Sequence, residues 1–434
     1  RDMDAHIWGS EEALVEQAGH LIHDAWQSTF VPEEGVESSP REGPVTLSPL
    51  DTTPIAWQYP PEGICLLDLF GGISTGLAAV LQAGIPVRRY VYVERDETAR
   101  RVSLRHVAML VERYPLLLPV GAVRGYQQAV PADISLLGAD HLDRVGPIDL
   151  VIAGWPCQGQ SRAGVGHGLQ DPRSALFWEM LRVLRHLQLH QTHPPAYILE
   201  NVPLLGDVRE RVVASVHQVR SWIGQAVLLD AARVGSRAHR PRLWWTNLVP
   251  TEVLKRAFDG IPRSASLVVD DILDVGRRAQ AVTQPDRPPL AVVNIVGRPR
   301  CALPTFVSHA ASYAFRAGGP GLVWDVALRQ LVEPTADERE RAMGFATGTT
   351  VVASVSESSR RQVLGQAMDL NCLTWIVSLS IAEQLRMRSA GVTDHPLVSL
   401  RPSRAIVVVA GGEQMVEEPM ARLAKAGQVV EQVG

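Results

Sequence analysis

Residues 64–76 read ICLLDLFGGISTG, an apolar run that leads directly into a glycine-rich turn. Residues 77–85 continue as LAAVLQAGI, which has the character of a helix packed on a sheet. A buried strand, a glycine turn and an amphipathic helix in succession are typical of a parallel sheet covered by helices. Such a turn lets the backbone approach a bound nucleotide, although any α/β fold can contain one.

Three further apolar runs repeat this pattern: VRRYVYVE at 87–94, IDLVIAG at 148–154 and AYILENV at 196–202. Helix-like segments lie between them, and one has an apolar face made by Leu176, Phe177, Met180, Leu181 and Leu184. This alternation predicts an α/β fold with a doubly wound, mostly parallel sheet.

Changes in amino-acid composition and hydrophobic pattern along the chain predict five segments. They are an N-terminal helix and mobile arm at 1–60, a main α/β domain at 61–250, a smaller domain at 251–332, a return to the main domain at 333–386, and a tail at 387–434.

The composition limits the class of protein. Hydrophobic residues make up 46% of the chain, and no segment approaches the roughly 20 apolar residues of a membrane span. The start at Arg1 lacks the pattern of a signal peptide. The four cysteines form no CxxC pair, so we expect no zinc or other metal site and a reducing, intracellular setting. A net charge of −4 argues against a wholly cationic nucleic-acid binder but allows a local basic face.

Reactive side chains follow the predicted strands. Glu94 ends the second strand, where a carboxylate is suited to bind two ribose hydroxyls, although a solvated loop carboxylate is the alternative. Cys157 follows Pro156 at the end of the third strand, and the proline fixes the turn that aims the thiol. A lone cysteine more often packs as a small hydrophobe.

The fourth strand ends in Glu200, whose carboxyl would face the same cleft and serve as a proton donor. Arg240 and Arg242 follow in SRAHRPRLWWTN, on one face if the segment is extended. There they would bind a phosphate or a base carbonyl, or else form an ordinary solvated strand face.

In this order and spacing, the segments resemble the motifs of the cytosine-C5 DNA methyltransferase family. DLFGGISTG is similar to the family's first motif and Glu94 to its second. GWPCQGQS resembles the catalytic Pro-Cys motif, ENV the Glu-Asn-Val motif, and RAHRPRLWW the arginine-x-arginine motif. DERERAMGF and GQAMDLNCLTWI are similar to the last two motifs.

Details such as GISTG resemble the Dnmt3-like and domains-rearranged-like branch, here in the conventional motif order. Two features depart from the family pattern. Gln366 stands where the last motif usually has Asn, and a long interval separates Glu94 from PADISLL at 131–137.

The resemblance implies a class I S-adenosylmethionine-dependent methyltransferase fold, with a target-recognition domain at 251–332 and DNA as partner. It implies methyl transfer from S-adenosylmethionine to C5 of a flipped-out cytosine, in the nucleus if the source is eukaryotic. Cys157 would attack C6 of the base, aided by Glu200 at N3 and by arginines that favour the thiolate. The implied catalytic residues are Cys157, Glu200, Arg240, Arg242, Pro156 and Asn201.

The resemblance also implies two sets of binding residues. The cofactor set is Asp68, Phe70, Gly71, Gly72, Ile73, Thr75, Glu94, Asp133, Ile134, Leu176 and Gln366. The DNA-contacting set is Gln158, Ser161, Arg298, Arg300 and His309.

Three alternatives stay open at this point. One is the same chemistry on tRNA, and another is a catalytically inactive homologue that binds DNA or regulates a partner. The third is a nicotinamide-dependent oxidoreductase, which the absence of GxGxxG disfavours.

Overall fold

The computed structural model describes residues 48–57, 59–156, 176–203, 210–262, 268–280, 300–308 and 312–389. Nearly all of them fall in one compact unit that includes Leu50–Val398. No helix within these ranges has the length and apolar character needed to cross a membrane.

The main sheet has six strands in the order β2-β1-β3-β4-β6-β5. Their bounds are Ile64–Leu69 (β1), Val87–Val93 (β2), Leu150–Gly154 (β3), Ala196–Asn201 (β4), Val227–Asp230 (β5) and Pro241–Thr246 (β6). β1, β2, β3 and β4 are parallel to one another, and β6 is antiparallel to both β4 and β5. The predicted doubly wound, mostly parallel sheet is confirmed.

Both faces of this sheet are covered. Ile64 and Leu66 of β1 belong to a hydrophobic cluster on one face, and the alternate residues Cys65, Leu67 and Leu69 are equally buried on the other. A strand that is buried on both faces is apolar at nearly every position, which is why β1 reads as an apolar run interrupted only by Asp68.

Nine helices of the described part flank or extend the sheet. Their bounds are Thr75–Gln82 (α1), Glu97–Arg113 (α2), Ala139–Val145 (α3), Leu176–His190 (α4), Glu210–Ile223 (α5), Thr251–Asp259 (α6), Ala336–Ala342 (α7), Glu357–Gln366 (α8) and Leu370–Ser389 (α9). The helix predicted from the apolar spacing around Leu176–Leu184 is α4, and α9 packs against α1.

Local capping fixes where the helices begin next to the sheet edge. The side chain of Asp96 accepts a hydrogen bond from the N–H of Ala99 at 2.8 Å, which starts α2 three residues after β2 ends. Thr335 and Glu338 form a reciprocal capping box at the start of α7. These caps hold the loops that follow the strands in a defined conformation.

A second, three-stranded antiparallel sheet lies within the segment predicted as the smaller domain. Its strands are Arg277–Ala279 (β7), Val323–Asp325 (β8) and Gln330–Val332 (β9). Arg277 of β7 pairs with Asp325 of β8 at 3.1 Å and with Glu338 of α7 at 2.9 Å. The bounds of the five segments into which the chain was divided stay a prediction.

One carboxyl group is buried in the main sheet. Asp68 of β1 is 1% exposed and accepts a hydrogen bond from the hydroxyl of Tyr90 at 2.9 Å. Burial raises the pKa of Asp68 from 3.8 to about 8; the Tyr90 hydrogen bond opposes this rise and the charge of Glu94 adds to it. The carboxyl is therefore largely neutral at pH 7 and can sit beneath the glycine turn without a cationic partner.

Replacing Leu66 by Ala is expected to lower the free energy of unfolding by about 2–5 kcal/mol, because it leaves a cavity in a fully buried strand. Urea unfolding followed by circular dichroism measures the change. Leu104→Ala on α2 is the matched control, since Leu104 is 47% exposed and should change stability by less than about 0.5 kcal/mol. Equal losses in the two variants would contradict the placement of β1 in the core.

The raised pKa of Asp68 predicts a pH dependence of stability. Between the unfolded value of 3.8 and the folded value of about 8, the folded chain holds a proton that the unfolded chain has lost. Stability must therefore fall as pH rises through this window, and the loss is complete above the folded pKa. Asp68→Asn cannot ionise and lacks this contribution.

The measurement is urea unfolding of the wild type and of Asp68→Asn at about pH 5 and about pH 8. Subtracting the variant from the wild type cancels other groups, such as His106, whose pKa burial lowers to about 4. We expect the wild type to lose more stability than the variant on going to the higher pH. A parallel change in both proteins would show that Asp68 does not titrate in this window.

Candidate active site

A cavity of about 690 Å³ lies at the edge of the main sheet where β1, β2, β3 and β4 end. We call it the edge cavity. The predicted residues along its walls are Asp68, Phe70, Gly71, Gly72, Ile73, Thr75, Glu94, Asp133, Ile134, Pro156, Leu176, Glu200, Asn201, Arg240, Arg242 and Gln366. The parallel register produces this convergence, because Leu69 pairs with Val93 and Ala153, and Ala153 pairs with Leu199.

The glycine turn forms one wall of the edge cavity. Phe70, Gly72 and Ser74 all have positive φ angles, of 55°, 52° and 63°. A Cβ at Gly71 would lie 2.7 Å from the ring of Tyr92, so only glycine fits between this ring and the cavity. The turn is thus folded tightly enough for a ligand to contact its backbone.

Glu94 lies beside this turn and already accepts two backbone hydrogen bonds. Its Oε2 accepts from the N–H of Gly72 at 3.1 Å, and its Oε1 accepts from the N–H of Asp96 at 2.8 Å. Burial raises the pKa of Glu94, and these N–H donors oppose the rise. A carboxylate has about four acceptor positions, so Glu94 can still accept from two ribose hydroxyls.

Asp133, Ile134 and Leu176 also line the edge cavity. The Oδ1 of Asp133 accepts from the N–H of Ser135 at 3.0 Å, which begins a short 3-10 helix at Ile134–Leu136. Arg182 of α4 donates to the carbonyl of Ile134 at 3.1 Å. This bond holds the segment against α4, whose first residue is Leu176.

Pro156, Glu200 and Asn201 meet where β3 and β4 end. Gly154 of β3 pairs with Glu200 of β4, and a Cβ at Gly154 would lie 3.0 Å from Oε2 of Glu200. The amide of Asn201 donates to the carbonyl of Trp155 at 3.3 Å, directly before Pro156. The glycine leaves room for the carboxylate, and the Asn201 bond ties β4 to the Pro156 turn.

Arg242 forms an ion pair with Glu200, with 2.7 Å between Nε and Oε1. The two side chains are 11% and 12% exposed. Removing one partner of such a buried pair leaves an uncompensated charge, so each member restrains the other. The predicted contact of Arg242 with a phosphate or base carbonyl stays a prediction, because this ion pair engages only Nε of the guanidinium.

Arg240 differs from its prediction. It is 4% exposed and donates to the backbone carbonyls of Phe306 at 3.2 Å and Gly365 at 3.1 Å, and also to that of Ala367. These carbonyls belong to two segments far apart in sequence, and both line the edge cavity. Arg240 therefore links two segments of the cavity wall, and its guanidinium donates to their backbone carbonyls instead of a phosphate.

The predicted DNA-contacting residues fall mostly outside the described part of the chain. Cys157, Gln158, Ser161, Arg298 and His309 all lie outside the described residues. Arg300 is described and does not fit the prediction, because it is 8% exposed and donates to the carbonyl of Pro320. A guanidinium that satisfies buried backbone oxygens is not available to a DNA strand.

Several residues that line the edge cavity were not predicted from the sequence. Arg95 directly follows Glu94, and Phe306 and Met368 come from the loop at 300–308 and the segment between α8 and α9. For Arg95, the adjacent Glu94 is a sequence signal. For Phe306 and Met368 we find none, because tertiary packing alone brings them to the sheet edge.

Part of this chain is similar in sequence to known proteins. Residues 124–249 match the family described as C-5 cytosine-specific DNA methylase. The type II methyltransferase M.AluI of Cellulosimicrobium cellulans is 34% identical over 145 residues, which are 33% of this chain and 24% of that protein. The DNA (cytosine-5)-methyltransferase DRM2 of Oryza sativa subsp. japonica is 27% identical over 139 residues, covering 30% of this chain and 20% of that protein.

Among solved structures, that of S. pombe Dnmt2 methyltransferase is 18% identical, with a TM-score of 0.49 over 74% of this chain and 99% of that chain. The assignment to the α/β class is based on the strand order of the main sheet. The chain spans only about a quarter or less of the length of the curated relatives it matches. The similarity to the C-5 cytosine-specific DNA methylase family is carried by residues 124–249 of this chain.

Proposed function

We propose that this chain transfers a methyl group from S-adenosylmethionine to C5 of a flipped-out cytosine in DNA, with Cys157 as the covalent nucleophile. One observation carries the proposal. The glycine turn, Glu94, Pro156 and Glu200 line a single cavity, so a nucleoside cofactor and a target base would meet there.

The cofactor part of the proposal depends on the fit of the glycine turn. A Cβ at Gly72 would meet only the carbonyl of Phe70, at 3.9 Å, so the backbone of the turn is open there, and Glu94 has acceptor positions left for a ribose. Phe70 and Leu176 are apolar walls suited to a purine ring, and Asp133 is an acceptor for its amine. Bound there, S-adenosylmethionine would supply an electrophilic methyl group.

The nucleophile in this proposal is the residue that follows Pro156. The Cys157 thiolate would form a bond to C6 of cytosine, which moves electrons into the ring and makes C5 nucleophilic. After C5 has gained the methyl group, a base removes the C5 proton and the thiolate leaves, which restores the aromatic ring. The base must first leave the helix, at a cost of a few kcal/mol for unstacking.

Glu200 would bind the N3 edge of the cytosine and stabilise the charge that the addition creates. The ion pair to Arg242 holds Oε1, and Gly154 leaves room beside Oε2. A carboxyl held by a fixed partner keeps its orientation when the base arrives, which is the condition for electrostatic stabilisation of the reaction. Arg242 therefore acts as the positioning residue of Glu200.

Two finer assignments belong to the same proposal. The segment 251–332 would be the target-recognition domain, supported by the separate small sheet of β7, β8 and β9. The chain would belong to the Dnmt3-like and domains-rearranged-like branch, which the similarity to rice DRM2 supports. In a eukaryotic cell, DNA as the substrate would require a nuclear location.

Cys157→Ser is expected to reduce methyl transfer to duplex DNA by at least about 10³-fold, because the weaker nucleophile cannot form the adduct. Binding of S-adenosylhomocysteine should stay unchanged, since Pro156 and the glycine turn are untouched. Transfer of label from S-adenosylmethionine to duplex DNA and to tRNA, with calorimetry for binding, measures both quantities.

Cys301→Ser is the matched control, because Cys301 does not line the edge cavity and should leave transfer at the wild-type rate. Normal methylation by Cys157→Ser would refute the nucleophile assignment. Transfer to tRNA alone would refute the choice of DNA, and no transfer to either would favour an inactive homologue.

A further inference from the structure

A buried arginine lies over two phenylalanine rings beside the edge cavity. The guanidinium carbon of Arg339, on α7, is 4.9 Å from the ring centroid of Phe306 and 5.0 Å from that of Phe315. The two ring centroids are 5.6 Å apart, and all three residues are at most 6% exposed. Of the three, only Phe306 is among the described residues that line the edge cavity. Any effect of the arginine on a ligand in the cavity must therefore pass through the Phe306 ring.

The charge of Arg339 is paired although it is buried. Its Nε donates to the carbonyl of Pro334 at 3.3 Å, and its Nη2 donates to Oε1 of Glu333. Burial lowers the pKa of Arg339 to about 10, against the opposing effect of Glu333, so the guanidinium stays protonated near neutral pH. A desolvated cation over the face of an aromatic ring is attracted more strongly than an exposed one. The arginine therefore restrains the orientation of both rings.

The backbone around Phe306 is held by separate contacts. Arg240 donates to the carbonyl of Phe306 at 3.2 Å. A Cβ at Gly365 would lie 2.5 Å from the carbonyl carbon of Val307, so this backbone packs directly on the last turn of α8. The hydrogen bond and the close packing fix the main chain of residues 306–308, and the cation–π contact fixes the Phe306 ring.

Residues 306–308 all line the edge cavity, and their contacts connect them to Glu200. Arg240 directly precedes β6, and Arg242 of that strand forms the ion pair with Glu200. The proposed function puts the target cytosine beside Glu200. In the part of the chain that the structure describes, no hydrogen bond or ring contact of Arg339 reaches the glycine turn. Residues 306–308 would thus border the target base rather than the cofactor.

We propose that Arg339 is a positioning residue for the target base. It holds the Phe306 ring, and with it the wall at residues 306–308, in the orientation that admits a flipped-out cytosine. A wall that is fixed before the base arrives loses less conformational entropy when the base binds. This inference rests on the proposed function, since it requires a base in the edge cavity.

Arg339→Met tests this role, because it removes the charge and keeps a long side chain. Glu333 keeps Arg361 as a partner at 2.6 Å, so no carboxylate is left unpaired and the variant is expected to fold. KM for duplex DNA should rise about tenfold, while kcat falls less than about threefold. Affinity for S-adenosylhomocysteine should stay within about twofold of the wild type. Initial rates of methyl transfer at varied DNA concentration, with calorimetry for the cofactor product, measure these quantities.

Arg88→Met is the matched control. Arg88 pairs with Asp149 at 3.0 Å and donates to the carbonyl of Gly63, next to the residues where β1 and β3 begin. This is the sheet edge opposite the edge cavity, so the variant should lose stability without a change in KM for DNA. Urea unfolding of every variant shows whether a change in KM merely follows a loss of stability.

Two further variants test whether the effect passes through the rings. Phe306→Leu should raise KM for DNA about as much as Arg339→Met, and the double variant should be little worse than either, because both changes release the same wall. Phe315→Leu leaves the arginine and the cavity lining in place and should raise KM about threefold, since one of the two ring contacts is lost. This variant keeps the inference testable if Arg339→Met does not fold.

Several results would overturn the inference. They are a wild-type KM for DNA in Arg339→Met or in Phe315→Leu, effects of Arg339→Met and Phe306→Leu that multiply in the double variant, and equal weakening of DNA and S-adenosylhomocysteine binding. In each case the proposed function would stand, because the wild type still methylates DNA. A wild type that transfers no methyl group to DNA would refute the proposed function and this inference together.

Discussion

The register of the parallel strands is the constraint on which the site depends. Leu69 of β1 is paired with both Val93 and Ala153, and Ala153 with Leu199, so four strands end at one edge. A change of register by one residue would exchange the two faces of a strand and move the residue that follows it. The glycine turn, Glu94, Pro156 and Glu200 converge on one cavity only because this pairing holds.

Buried polar contacts then fix the side chains at that edge. Asp68 supports the glycine turn as a largely neutral carboxyl, and Arg242 holds Glu200 by an ion pair. Arg240 joins the carbonyls of two segments that are distant in sequence. Such contacts are costly to leave unmade, which favours a cavity whose walls keep their shape before a ligand binds.

The sequence was sufficient for the features that depend on local pattern. Largely apolar runs predicted β1, β2, β3 and β4, since a strand buried on both faces needs apolar residues at most positions. Residues that directly follow those strands could be placed at the edge from the parallel topology alone. The predictions for Arg240 and Arg300 failed because residue type does not reveal which acceptor a guanidinium meets. Both are buried and donate to backbone carbonyls contributed by other segments.

The proposed methyl transfer requires that the residue after Pro156 attack a cytosine bound beside Glu200. The most direct measurement incubates the chain with S-adenosylmethionine and duplex DNA that contains 5-fluorocytosine, then maps any adduct by mass spectrometry. Fluorine cannot leave from C5 as a proton does, so the covalent intermediate is trapped. We expect a stable adduct on the peptide that contains Cys157. An adduct on Cys65, Cys301 or Cys372, or transfer of the methyl group with no adduct, would contradict it.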